Sequence, residues 1–258
     1  MSFNHPVLVY HKVDDKVEWG LTRVRPNAFR RQIKYLQEHD YKFVTISELK
    51  NASQSDKVVA ISFDDAYQSA YTHAYPILKE INAPATIYVI TDYVGKDNLW
   101  DLNVGNIIFQ HISWEELQEL SDNGWEIGSH TLSHRDLRKL EINDLKKEFI
   151  LSKELLESKL NIVVKSTSFP FGKFGLRELE TAKAIGYLNS AVFYPIFKHF
   201  KEEDELFVVK RLGVYLWDTK MFFKFKLSGG IAKLLEILKQ NVLNLFSSIT
   251  ILAQGLRK

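Results

Sequence analysis

Two short stretches of this chain hold residue types that could carry out hydrolysis together. The apolar run Val59-Ala60-Ile61-Ser62-Phe63 ends in two consecutive acids, Asp64 and Asp65. Neighbouring residues at a strand end point in different directions, so one carboxylate could ligate a metal while the other stays free as a base. Further along, Trp125-Glu126-Ile127-Gly128 leads into Ser129-His130-Thr131-Leu132-Ser133-His134. Two histidines four apart are expected on one face of a helical turn, with Cβ atoms roughly 5–6 Å apart. His, His and a carboxylate suit zinc or a similar divalent ion, with positions left for water and substrate. A third stretch, Ser168-Phe169-Pro170-Phe171-Gly172, begins at the end of the strand-like run Val164–Phe169. Its proline fixes the backbone, and the Phe171 amide could serve as an oxyanion donor.

These groups need a scaffold that presents strand ends side by side. Strand-like runs occur at Val7–His11, Val58–Phe63, Thr86–Ile90, Trp125–Gly128, Val164–Phe169, Ser190–Phe193 and Phe207–Val209. Several are apolar throughout rather than alternating, the pattern of parallel strands buried on both faces. Helical patterns lie between them at Pro26–His39, Pro76–Ile81, Trp114–Asn123, Asp144–Leu160 and Arg177–Ile185. Phe29, Ile33 and Leu36 give the first an apolar face, and Ser113 with Glu116 forms a capping box for the third. Alternation of this kind implies a parallel α/β architecture, an open sheet or a barrel.

Composition narrows the chemistry. The 258 residues are 45% hydrophobic and 26% charged, with a formal charge of +2, so disorder and a nucleic-acid partner are not indicated. Cysteine is absent, which removes disulfides, thiolate nucleophiles and Cys-ligated metals. Any metal must be held by histidines and carboxylates. Met1–Pro6 is short and polar and is followed by only a brief apolar run, so no export signal is read and the expected address is the cytoplasm.

In order and setting, the three stretches resemble the polysaccharide deacetylases, the NodB-homology group of carbohydrate esterases. The family's T-F-D-D-G appears as Ser62-Phe63-Asp64-Asp65-Ala66, and its H-[ST]-x-x-H is matched in full from His130 to His134. Its R-x-P-Y is represented by Ser168-Phe169-Pro170-Phe171. Tyr10-His11-Lys12-Val13, Phe29–Leu36 and Phe43-Val44-Thr45-Ile46 continue the likeness, which covers residues 5–226. The resemblance implies a distorted (β/α) barrel with fewer than eight regular units. It implies Asp64 as general base, Asp65, His130 and His134 as ligands of a divalent metal, zinc by expectation, and Phe171 as an amide donor to the oxyanion.

The departures are specific. Ser168 stands where the family has an arginine that orients the catalytic aspartate; Arg211 could reach in from a late strand and replace it, or simply make a surface salt bridge. The family's late L-x-H histidine, its general acid, has no counterpart. After His134 the remaining histidine is His199, beside Glu202, Glu203 and Asp204 in what reads as a solvated loop. His11, at the end of the first strand, is better placed as a pocket residue, either as the acid or in a structural hydrogen-bonding role. Ala66 replaces a glycine, a mild change if φ there is below zero. Trp100 and Asp101 sit in a polar loop where a sugar-stacking ring would be useful, though packing explains them as well. His5, His39, His73 and His111 receive no function.

Beyond Ser228-Gly229-Gly230 the character changes. Apolar residues recur at 231, 234, 235, 238, 242, 245, 246, 249, 252 and 256, one face of a long helix. Residues 220–258 hold Lys220, Lys224, Lys226, Lys233, Lys239, Arg257 and Lys258 against Glu236 alone, whereas the rest of the chain is acidic in balance. Such a helix either packs on protein or lies on an anionic membrane. The expected organisation is a catalytic domain over 1–226 and a basic amphipathic tail over 227–258. The expected activity is metal-dependent removal of an N-acetyl or O-acetyl group from a sugar in a polysaccharide or a lipid- or nucleotide-linked glycan precursor. The alternative is a degenerate relative that binds glycan or a partner without turnover.

Overall fold

A computed structural model describes residues 5–16, 22–99, 107–194, 207–228 and 234–239. Seven parallel strands close into a barrel: β1 (Val7–Tyr10), β5 (Val58–Phe63), β6 (Thr86–Val89), β7 (Glu126–Ser129), β8 (Ser166–Ser168), β9 (Asn189–Phe193) and β10 (Val208–Gly213). Closure is made at β1, which pairs with β5 on one edge and β10 on the other. Three short strands lie outside the ring. β2 (Lys12–Val13) pairs with β3 (Arg23–Val24), and β4 (Lys42–Val44) pairs with the first half of β5. The helices are α1 (Pro26–Glu38), α2 (Tyr75–Lys79), α3 (Trp114–Asp122), α4 (Ile142–Leu160), α5 (Leu176–Ala184) and α6 (Lys220–Leu227). Residues 234–239 are also helical.

The expected barrel is present, and every strand-like run contributes a strand. β10 runs on to Gly213, past the Val209 expected from sequence, and this extension carries Arg211. The capping box is formed: Ser113 N–H donates to Glu116 at 2.9 Å and Glu116 N–H donates to Ser113 Oγ at 3.3 Å. α2 starts one residue early and follows a single wide turn over Ala70–Ala74.

Side chains alternate across the barrel wall with the two-residue period of a strand. Val59, Ile61 and Phe63 face the helices and join the main core with Phe29, Ile33, Leu36 and Trp125. Phe63 stacks on Trp125 at 5.4 Å between ring centroids, and Tyr10 meets Phe29 edge-on at 5.0 Å. Val58 and Ala60 face the lumen, packed with Val7, Tyr88, Ala191 and Val209. The lumen is polar at the amino ends of β6, β7 and β8 and again at the carboxyl ends of the strands. Glu126 accepts hydrogen bonds from Ser166 Oγ at 2.6 Å and Thr86 Oγ1 at 3.1 Å, and Tyr88 fills the centre. Gly128 makes room for that ring: a Cβ there would lie 2.5 Å from Tyr88 Cε1. Continuing the same alternation, Ser62 and Asp64 on β5, His130 beyond β7, Ser168 on β8 and Arg211 on β10 all turn inward.

Candidate active site

At the carboxyl ends of β5 and β7, Asp65 Oδ1 lies 3.3 Å from His130 Nε2 and 3.4 Å from His134 Nε2. One ligand atom from each residue falls within 4.8 Å of the others, and all three side chains are buried. The His130 tautomer is fixed by its second nitrogen. Nδ1 stands 2.9 Å from the Ser168 carbonyl, which can only accept, so Nδ1 carries the proton and Nε2 presents its lone pair. Asp65 Oδ1 is buried and accepts no hydrogen bond. An ionised oxygen held without a donor, facing two imidazole nitrogens, matches the donor set of a divalent cation. Burial alone would push the Asp65 carboxyl up; imidazoles carrying a proton on Nε2 would outweigh that and hold it well below the ordinary carboxylate value.

The backbone that carries these ligands departs from the expectation drawn from spacing. His130 and His134 do not share a helical turn. They sit on a loop in which Thr131 has φ 68° and His134 has φ 58°, and the rings meet at 4.9 Å. Asp65 and Ala66 also take positive φ, 69° and 51°, so the expectation of a negative φ at Ala66 is wrong. A non-glycine residue there costs roughly 1–2 kcal/mol. The reversal is what turns Asp65 away from the lumen-facing path of Asp64 and toward the histidines.

Asp64 is engaged by Arg211. The guanidinium donates from Nη1 to Oδ1 at 2.6 Å and from Nη2 to Oδ2 at 2.8 Å, the two-pronged geometry of a strong charge-assisted pair. Nη2 also donates to Ser168 Oγ at 2.7 Å, whose hydroxyl donates to Asp64 Oδ2 at 3.3 Å. Ser168, where the resemblance sets an orienting arginine, thus braces the arginine that arrives from β10. Arg211 is fully buried, with its Cζ 5.2 Å from the Tyr88 ring and 5.4 Å from the Phe193 ring. Burial raises the Asp64 carboxyl, but Arg211 and His130 outweigh it and hold the group below its ordinary value. It is a carboxylate at neutral pH.

His11 follows β1 and stacks on Phe193 at 6.3 Å. Burial lowers its pKa against the opposing pull of Asp65 and Asp64, leaving a neutral imidazole in the field of both acids. Phe171 reaches the site through its ring, which lies edge-on to His134 at 4.6 Å; its backbone is in a turn with φ 59°. His199, Trp100 and Asp101 lie outside the described residues, as do 229–233 and 240–258 of the tail.

One contributor has no motif to betray it. His111 Nδ1 donates to the Asp65 carbonyl at 2.7 Å, and its ring stacks on Tyr67 at 5.0 Å. The main chain does the same: Ile112 N–H donates to the Ala66 carbonyl at 2.9 Å and Gln68 N–H to the Gln110 carbonyl at 2.8 Å. Segment 110–112 thus holds the left-handed turn that aims Asp65. The link spans 46 positions, and no local pattern around His111 announces it.

A closed parallel barrel with an arginine-paired aspartate beside an Asp–His–His cluster at its strand ends has the build of a hydrolase. Residues 51–190 match the polysaccharide deacetylase family model, and the chain belongs to that family. Arg211 lies beyond the matched stretch. Poly-β-1,6-N-acetyl-D-glucosamine N-deacetylase of Staphylococcus aureus is 32% identical over 196 residues, 74% of this chain and 59% of that protein. The chain spans about three-fifths of the length of the curated relatives it matches. A polysaccharide deacetylase from Bacillus cereus superposes with a TM-score of 0.73 at 26% identity, covering 86% of this chain and 68% of that one. Streptococcus pyogenes deacetylase PplD, solved with acetate, shares the fold with a TM-score of 0.73 at 22% identity, over 87% and 98% of the two chains.

Proposed function

We propose that the protein is a metal-dependent deacetylase that hydrolyses the N-acetyl group of an amino sugar in a glycan. The observation that carries the reading is the bidentate Arg211–Asp64 pair set beside the Asp65–His130–His134 cluster: a fixed, ionised base next to a donor set for a divalent cation. Asp65, His130 and His134 would hold the ion, with zinc as the expected metal. When bound there, it supplies polarisation of the acetyl carbonyl and acidification of the attacking water.

The chain's own residues account for the remaining steps. Asp64 takes the proton of the attacking water on a carboxylate oxygen, and Arg211 and Ser168 keep that carboxylate ionised and aimed. The Phe171 amide is assigned to the oxyanion of the tetrahedral intermediate. The proton then goes to the departing nitrogen. His11, in the field of both carboxylates, is the group proposed to hand it over; burial disfavours its charged form, so it would hold that proton only in passing. The relationship to the S. aureus enzyme makes β-1,6-linked N-acetylglucosamine oligomers the first substrates to try, with lipid- and nucleotide-linked amino sugars beside them.

The test is acetate release by the metal-loaded protein from that panel, with new primary amine measured alongside. Equal yields of acetate and amine establish N-deacetylation, and acetate alone establishes O-deacetylation. Asp64→Asn should lose at least about a hundredfold in kcat while retaining metal. Wild-type protein that binds metal and glycan but releases no acetate would establish the non-catalytic binder instead.

A further inference from the structure

The C-terminal helices are folded with their charges inward and their leucines outward. Lys226 Nζ pairs with Asp218 Oδ2 at 3.2 Å and with Glu236 Oε1, and Lys239 Nζ pairs with Asp218 at 2.7 Å and Glu236 at 2.9 Å. Lys226, Asp218 and Glu236 have almost no solvent exposure in their side chains. In helix 234–239, Glu236, Ile237 and Lys239 form the inner side, while Leu234, Leu235 and Leu238 are 54%, 54% and 43% exposed. Ordinary surface helices have the opposite polarity. The same local unit exposes Trp217, Met221 and Phe222, and Lys239 Nζ sits 4.9 Å over the Phe222 ring, tying the two helices together. Elsewhere the exposed large hydrophobics are spread thinly from Leu99 to Leu188.

Charge decides what can cover this face. Both acids of residues 215–239 are consumed inside the ion cluster, so the ionisable groups left exposed there, among the described residues, are Lys220 and Lys224. A groove of about 340 Å³ between α1 and α6 adds Arg31 and Lys34, with Glu38 paired to Lys34 at 3.7 Å. The sequence from 240 to 258 continues the same character, apolar with Arg257 and Lys258 and no acid. Among the described residues no helix is long and apolar enough to cross a membrane. An apolar face with two aromatic residues and a margin in which Arg31, Lys34, Lys220 and Lys224 outnumber Glu38 fits the plane of an anionic bilayer, where rings and leucines enter the acyl boundary and lysines meet lipid phosphates.

We propose that the face made by Trp217, Met221, Phe222, Leu234, Leu235 and Leu238 docks on an anionic lipid surface, with Lys220 and Lys224 at its margin. The proposal stands apart from the deacetylase reading and does not depend on it. The test is co-sedimentation of the full chain with phosphatidylcholine vesicles, with and without phosphatidylglycerol. Binding should be at least about tenfold tighter with phosphatidylglycerol and should weaken as salt is raised. Leu235→Ser/Leu238→Ser should abolish binding to both vesicle types, and Lys220→Glu/Lys224→Glu should remove the preference for the anionic one. All of these side chains are solvent-exposed, so circular dichroism should show unchanged melting. Should the serine variant fail to fold, the glutamate variant decides the question. Equal binding to both vesicles, or none, overturns the proposal. So does a wild-type dimer in light scattering that the serine variant dissolves, since a second copy would then be what covers the face.

Discussion

Two groups of charge are buried in this molecule, and they are built to different balances. Under the C-terminal helices, Lys226 and Lys239 meet Asp218 and Glu236, two cations against two anions, each within salt-bridge distance of both opposites. At the carboxyl end of the barrel, Arg211 is paired to Asp64, while Asp65 faces His130 and His134, which are neutral when they present their lone pairs. The first cluster is matched charge for charge, whereas in the second Asp65 has, among the described residues, no lysine or arginine partner and keeps an unbonded oxygen. The backbone differs in step. Asp65, Ala66, Thr131, His134 and Phe171 all take positive φ around the site, and no described residue from 207 to 239 does. A buried group left unbalanced and strained is poised for something that is not protein, and a balanced one holds helices together.

Removing the cation from each cluster should separate these roles. Arg211→Met should cost both stability and chemistry: about 3–5 kcal/mol in denaturant unfolding, because Asp64 is left buried and unpaired, and about a hundredfold in kcat as the base loses its aim. Arg211→Lys keeps charge without the fork and should recover stability more than turnover. Lys226→Met should cost a comparable amount, about 3–5 kcal/mol, with kcat on soluble substrate unchanged. Adding Glu236→Leu should recover most of that loss, because the Asp218–Lys239 pair survives. A drop in kcat for Lys226→Met would erase the distinction between the clusters.

Smaller effects probe how the site is held. His111→Phe keeps the stack on Tyr67 but removes the donor to the Asp65 carbonyl, and should weaken cobalt or zinc affinity by about tenfold, read by competition with a chelating dye. His111→Asn, which retains a donor, should stay closer to wild type. Equal affinity in all three proteins would show that main-chain pairing alone positions Asp65. The smallest change expected is a gain. Ala66→Gly relieves a positive φ and should stabilise the protein by about 0.5–1 kcal/mol, measured by thermal unfolding.

The barrel was legible because several of its strands are buried on both faces and therefore read as apolar runs such as Val7–Tyr10. β2, β3 and β4 were not, since two or three residues leave no period to detect. Asp64, Asp65, His130 and His134 could be found because they follow strand ends. Their geometry could not: the spacing of the histidines suggested a helical turn, and nothing in Thr131 or His134 signals a left-handed backbone. Arg211 was visible as a late basic residue able to replace a missing one, but only the inward alternation of β10 shows that it does. His111 acts through a contact 46 positions away, beyond the reach of local pattern.

The residues proposed as metal ligands and base all follow β5 and β7, while the arginine paired to Asp64 arrives on β10, the strand that completes the ring against β1. A chain emerging from synthesis therefore has every residue of the Asp–His–His cluster in hand well before it can hydrolyse anything. On the proposed function, turnover begins only when the last strand seats itself, so catalytic competence would report finished assembly, and a lesion that loosens the β1–β10 seam is expected to silence the enzyme before it unfolds it.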